Sequence, residues 1–341
     1  MKPVLHLLIF SIISIGAFAQ KEVDRVKFFE DTAQINATLT ININKLQSKR
    51  DVEGAIFPAV FSCKLDDGLN VNDPISVEVR GHFRRQFSYL PPLKLHFNAD
   101  TNATLQPLKS LKLVNASKST NVYDQYLLKE YLIYKIYNLI TDKSFNVRLL
   151  SLNFADSSGK KKTINQHAFL VEDIKQTAKR SGCKEFTATK LAQESTDRRQ
   201  MTIVAIFEYM IGNTDWSVPA DHNTKLIAPK DDPTVRPYVI PYDFDFSGLV
   251  ATDYSVPDEN LNITSVQQRL YRGFPRTMDE LNDVLNVFKS KKDNIYATIN
   301  NFSLLTNTSK KQMTDYLDSF FDILKRPKDI KEAFITNART E

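Results

Sequence analysis

The chain has 341 residues, enough for one large or two medium domains with a sizeable core. Apolar residues make up 42% and charged residues 25%, globular proportions that exclude a disordered or fibrous chain. Forty-five Lys and Arg against 40 Asp and Glu leave +5, and without a long basic run or interleaved aromatics that surplus does not argue for a nucleic-acid partner.

Residues 1–19 read as a secretory leader: Lys2 for the charged start, an apolar run from Val4 to Ile15, then Ala17-Phe18-Ala19 as a small-x-small cleavage site. Nothing later reaches about 18 uninterrupted apolar residues, so no membrane span is expected in the mature chain. The expectation is an exported protein, periplasmic or extracellular after cleavage near Ala19, and the Asn- and Lys-rich composition suits a bacterial source. Cys63 and Cys183 stand 120 positions apart and read as small buried side chains rather than a disulfide.

From residue 20 to 74 short apolar runs alternate with period two, as in Ile35 to Ile41 and Ala55 to Phe61, which predicts a β-rich entry module. Two further strands, Ile75 to Val79 and Leu93 to Phe97, flank a loop with Arg80, Gly81, Arg84 and Arg85. A phosphate cradle works through backbone N–H groups, which glycine leaves open. With one glycine here, phosphate binding would lean on the guanidinium groups of Arg80 and Arg84, and a plain basic hairpin tip is the competing reading. Leu108 to Val114 alternates as a strand carrying Lys112, and Asp124 opens a long amphipathic helix carrying Glu130. A strand lysine held by a helix glutamate is how kinases grip the nucleotide phosphates, and Lys112 with Glu130 fits that order, with Lys94 as a competitor for Lys112. Two more strands, Val147 to Phe154 and Gln166 to Val171, precede a polar and partly helical stretch, and the lobe boundary is placed near residue 175.

The chain is organised around residues 203–248. An apolar run at helical spacing (Val204, Phe207, Met210, Ile211) stops at Gly212. Asn213-Thr214-Asp215 follows, then Asn223, then a strand-like run to Asp243-Phe244-Asp245. Acid, amide and second acid in that order are the parts of a phosphoryl-transfer site: one carboxylate orients the attacking hydroxyl, the others hold magnesium. Gly212 to Asp215, Asn223 and Pro241-Tyr242-Asp243-Phe244-Asp245 resemble the spore-coat-protein-H-like (CotH-like) atypical kinases, with aminoglycoside phosphotransferases a more distant likeness. The resemblance covers about residues 75–275 and is strongest at 207–248. It implies Asp215 as the catalytic acid, Asn223 and Asp243 as metal ligands with Asp245 able to replace Asp243, and Lys112 with Glu130 as the phosphate anchor. The interval from Asp215 to Asn223 is eight positions where protein kinases use about five, which leaves Asp221 as a candidate in place of Asn223. His222 is either a general base or a hydrogen-bonding loop histidine.

Past Gly248 the chain is irregular to Gly273, and two helices, Met278 to Ile299 and Gln312 to Leu324, are predicted to close the large lobe. The expected fold is α+β and bilobal, protein-kinase-like, with a β-rich module at 20–74, a small lobe at 75–175 and a mainly helical large lobe at 176–341. The expected function is transfer of a phosphoryl group from ATP to a hydroxyl acceptor, on a protein or a small molecule, with Mg2+ or Mn2+. A kinase-fold binding protein for a phosphorylated or glycan ligand is the alternative from another class. A phosphoesterase built on Asp215, Asp243, Asp245 and His222 ranks third, because the chain lacks the dense Asp/His clusters of two-metal hydrolases.

Overall fold

The computed structural model describes residues 25–30, 32–97 and 103–339. The predicted leader lies outside the described residues. Among the described residues no helix is long and apolar enough to cross a membrane.

Seven strands close into a barrel: β1 (Ile35–Ile41), β2 (Ile56–Lys64), β3 (Asn70–Val79), β4 (Leu93–His96), β5 (Ser110–Asn115), β6 (Val147–Asp156) and β7 (Ile164–Val171). Their order around the barrel is β1-β2-β3-β4-β5-β7-β6. Every neighbouring pair is antiparallel except β1 with β6, which run parallel from Ile35 opposite Leu150 to Ile41 opposite Asp156. Period-two sequences put one face of each strand inside, so Leu39, Val77, Leu95, Leu113, Leu152 and Leu170 fill the interior.

The 20-residue helix α3 (Asn121–Ile140) follows β5, after two short helices, α1 (Arg25–Glu30) and α2 (Ile43–Ser48). Its length, about 30 Å, lies across the outside of the barrel. Val147, Leu149, Phe169 and Val171 point away from the barrel interior and join Leu128, Ile133 and Ile136 of α3 in one core. That core continues into the second half of the chain. Here α4 (Ile174–Arg180) leads to a three-stranded antiparallel sheet of β8 (Cys183–Phe186), β9 (Thr224–Pro229) and β10 (Tyr238–Pro241). Around it pack α5 (Arg198–Ile211), α6 (Met278–Asn300) and α7 (Asn307–Ile323), with α8 (Pro327–Lys331) near the end. Asp197 caps α5 by accepting the Gln200 N–H, and Thr277 with Glu280 forms a reciprocal capping box on α6. The last long helix begins at Asn307, five positions before the predicted Gln312, because the Thr306 side chain caps it through the Ser309 N–H.

The bilobal protein-kinase-like fold is therefore corrected. The α+β class fits, but the strands form a closed mixed barrel. The reason is the N-terminal segment: β2 pairs with β3, which runs across the expected boundary at residue 74, and β1 seals the free edge of β6. Closure removes the edges that an open sheet would expose.

Candidate functional site

Three loops meet beside α3: the β3–β4 loop, the loop between α5 and β9, and the turn after β10. They line a cavity of about 420 Å³. Arg80 and Arg84 come from the first loop, Asp215, His222 and Asn223 from the second, Asp243 and Asp245 from the third. Six of the eight residues expected from the sequence thus share one cavity, and Lys112 and Glu130 stand outside its lining.

The second loop starts where α5 ends. Gly212 takes the left-handed conformation (φ 68°, ψ 34°), and the next residue, Asn213, donates its N–H to the Glu208 carbonyl at 2.8 Å. The Asn213 side-chain oxygen then accepts the Asp215 N–H at 3.0 Å, an Asx turn that fixes the first acid. Asp215 Oδ1 lies 2.8 Å from His222 Nε2, and Asn223 Nδ2 donates to the Asp215 carbonyl at 2.7 Å and to Oδ2 at 3.0 Å. The long interval between Asp215 and Asn223 has a simple resolution. Ser217 and His222 each donate a backbone N–H to the other's carbonyl, at 2.9 and 3.0 Å, and pinch the residues between them into a turn. Asn223 is thereby returned to Asp215, while Asp221 points to Lys225 on the exposed side. The bond to Asp215 raises the His222 pKa above its ordinary value, so the pair shares charge.

Pairing of Thr224 with Pro241 and a 3.0 Å bond from Tyr242 N–H to the Asn223 carbonyl carry the third loop to the same place. Asp243 follows with φ 65°, a left-handed backbone that costs a non-glycine residue about 1–3 kcal/mol, and its N–H donates to the Tyr134 hydroxyl at 2.9 Å. Asp245 is 6% exposed and accepts from the Tyr254 hydroxyl at 3.0 Å, with Arg84 Nη1 at 3.7 Å. Burial, then the neighbouring Asp243, push its pKa up to about 6. Glu130 on α3 is 1% exposed, and its Oε1 finds no hydrogen-bond partner. Burial and then Asp245 and Asp243 raise its pKa well above the usual carboxylate range, against the pull of Arg84 and Arg80.

Facing these acids, Arg84 donates to the Asn115 carbonyl at 2.8 Å and Arg80 to the Leu93 carbonyl at 3.0 Å. Both are anchored by backbone carbonyls, and Arg84 is also paired with Asp245. Arg85 turns away to Glu53 at 3.2 Å. Lys112 sits with Nζ 3.9 Å from the Tyr242 ring centroid, and burial, then Arg80, push its pKa down to about 7. No ion pair joins Lys112 to Glu130; the cations that act most on Glu130 are Arg84 and Arg80. Phe83 and Phe246 stack edge to face at 5.4 Å on the cavity wall and tie the first loop to the third.

Among the described residues, no three His, Cys, Asp or Glu side chains form a ready metal cage. A magnesium site shared with a nucleotide does not require one, because such ions take one or two carboxylates and fill the remaining positions with water and phosphate oxygens. The donors on this side, Asp243, Asp245 and the Asn223 amide oxygen, are all oxygens, and the raised Asp245 pKa marks a carboxyl pair that a cation would relieve. The residues fit such an ion.

Tyr134 and Tyr254 escaped the sequence reading although each holds one of the paired acids. Tyr134 was within reach: it lies one helical turn beyond Glu130, on the same face of α3. The chain matches no protein-family model and no curated protein.

Proposed function

We propose that this cavity is the active site of an exported phosphotransferase, which moves a phosphoryl group from ATP to a hydroxyl acceptor with the help of Mg2+ or Mn2+. The observation that carries the reading is the division of one 420 Å³ cavity into an acidic wall (Asp215, Asp243, Asp245, with Asn223) and a guanidinium wall (Arg80, Arg84). A nucleoside triphosphate with its metal needs both. The resemblance of residues 212–245 to the CotH-like kinases supports the same chemistry, and it is the site rather than the fold that carries the argument.

Asp215 orients the acceptor hydroxyl and receives its proton, with the raised pKa of His222 beside it to share the charge. Asn223 holds Asp215 in place through its amide N–H and keeps its amide oxygen for the metal. Asp243 and Asp245 would hold the metal as carboxylate ligands, and the chemistry it would supply is neutralisation of charge on the transferred phosphoryl group. Arg80 and Arg84 orient the donor phosphates. Glu130, coupled electrostatically to Asp245 and Arg84, and Lys112, charged only in part near pH 7, stand behind the cavity lining rather than in it. The acceptor is a protein Ser/Thr or a small molecule.

The test is thermal stabilisation of the mature protein by ATP, ADP and AMP with and without Mg2+ or Mn2+, followed by assay of γ-phosphate transfer. A ligand at a hundredfold excess over Kd adds about 2.7 kcal/mol to stability. Asp243→Asn is the informative variant, because Asn tolerates the left-handed backbone that Ala would strain. Metal-dependent stabilisation that disappears in Asp243→Asn supports the reading. No stabilisation by any nucleotide in a folded sample rejects it and leaves a binding module for a phosphorylated or glycan ligand.

A further inference from the structure

A second, larger cavity of about 850 Å³ lies between α3, α7 and the backbone of residues 248–251, on the far side of the segment that follows Asp245. Two cations line it, Lys129 and Arg269. Lys129 is 4% exposed, and its ammonium reaches only neutral acceptors: Gln312 Oε1 at 2.9 Å and the Val250 carbonyl at 3.4 Å. Arg269 lies 3.9 Å over the Tyr316 ring and donates to the carbonyls of Met210 and Tyr316 and to Ser319 Oγ. Among the described residues, neither cation has a carboxylate within ion-pair distance. The acid on the lining, Asp315, is bound to Lys311 at 2.8 Å.

A buried ammonium without a counter-charge is costly, and burial alone lowers the Lys129 pKa to about 8, so most of it still carries charge at pH 7. The cavity also receives the first turn of the 17-residue α7, where the helix dipole is positive and the exposed Thr308 brings a hydroxyl, while Ser309 is engaged by the Thr306 cap. Cation, hydroxyl and helix start all favour the same kind of guest. From this we infer that the cavity is a second ligand site, selective for a phosphate group and separate from the proposed active site. The guest would be free inorganic phosphate or the phosphate of a phosphomonoester. Its influence on the active site runs through two carbonyls. Arg269 grips Met210, two residues before Gly212, and Lys129 grips Val250, five residues after Asp245. A phosphate drawing on either cation loosens a backbone segment that carries catalytic groups, which makes the site a modulator of the first.

Calorimetric titration of the mature protein with inorganic phosphate, and separately with O-phosphoserine, tests this. Lys129→Met removes the charge and keeps the bulk. It should be at least as stable as the wild type without ligand and bind phosphate about tenfold more weakly or worse. Arg84→Gln, in the first cavity, should leave this binding intact. Should Lys129→Met fail to fold, Thr308→Asp offers a second route, since an acid is welcome in the first turn of α7 yet repels the guest. Binding of inorganic phosphate alone, of O-phosphoserine alone, or of both supports the site and identifies the source of the phosphate. Binding unchanged in Lys129→Met and Thr308→Asp, binding lost only in Arg84→Gln, or no heat from either ligand at millimolar concentration overturns it.

Discussion

The interior of the barrel and the seam around α3 are both buried, but they are built on opposite terms. Inside the barrel the core is aliphatic and aromatic throughout, with Leu39, Leu95, Phe154 and Leu170 fully enclosed. Along the seam the protein buries Glu130, Lys129, Glu208 and Asp245, and gives several of their polar atoms no partner. Apolar burial stabilises at about 25 cal/mol per Å², whereas a buried polar group left without a partner costs about 1–3 kcal/mol. The seam thus gives back part of the stability that its own apolar contacts and the barrel supply, and the candidate site lies along it.

The contrast is broken most directly by one substitution on each side. Phe154→Ala opens a cavity in the barrel and is expected to destabilise the protein by about 3–5 kcal/mol, read by denaturant unfolding. Asp215→Asn is expected to leave the unfolding midpoint close to the wild-type value while lowering the proposed phosphoryl transfer by about 10²–10⁴-fold. If Asp215→Asn destabilised the chain as much as Phe154→Ala, the division between a stabilising barrel and a functional seam would not stand.

Gly212→Ala probes the joint between the two. A Cβ at Gly212 would come within 1.9 Å of the Tyr316 hydroxyl and would have to sit at φ 68°. A loss of about 1–3 kcal/mol in stability is expected from the left-handed backbone and the clash together. Because Asp215 hangs from the same turn, transfer activity should fall with it, more steeply than in Phe154→Ala at equal residual stability. Activity that simply tracks stability in both variants would mean that the turn positions nothing.

How much of this was legible follows from how local each feature is. Strands with period-two alternation, the stop at Gly212 and the sequence Asp215, Asn223, Asp243, Asp245 are set by neighbours a few positions away, and six of the expected site residues do gather in one cavity. The parallel pairing of Ile35 with Leu150 is not local. Nothing in either segment marks the other, so the N-terminal strands read as a separate module and the closed barrel as a bilobal fold. The Lys112–Glu130 pair failed to form for a related reason. The strand and the helix are both there, but Lys112 settles over Tyr242, and it is the charges of Arg84 and Arg80 on the β3–β4 loop that act on Glu130. Glu208 did carry a visible signal, because Val204, Glu208 and Ile211 share one helical face. An acid on that apolar face has to be buried.

Glu208 gives the smallest and most specific expected effect. It is 1% exposed, and burial raises its pKa well above the ordinary value of 4.5, against the opposing pull of the Asn213 side chain. In the unfolded chain Glu208 releases its proton near pH 4.5, while the folded chain still holds it, so between that pH and the raised folded pKa the native state binds more protons. Stability contributed by Glu208 is therefore complete below pH 4.5 and is lost as pH rises through the folded value. Glu208→Gln has the same shape and no proton to lose. It should match the wild type in Tm at pH 4 and exceed it at pH 8, by an amount on the order of a degree or two. A gap that is constant with pH would show that the carboxyl does not titrate across folding. A gap that closes as pH rises would reverse the sign and mean that Glu208 is held charged, by Arg272 on the adjoining loop, in a seam less dry than its burial indicates.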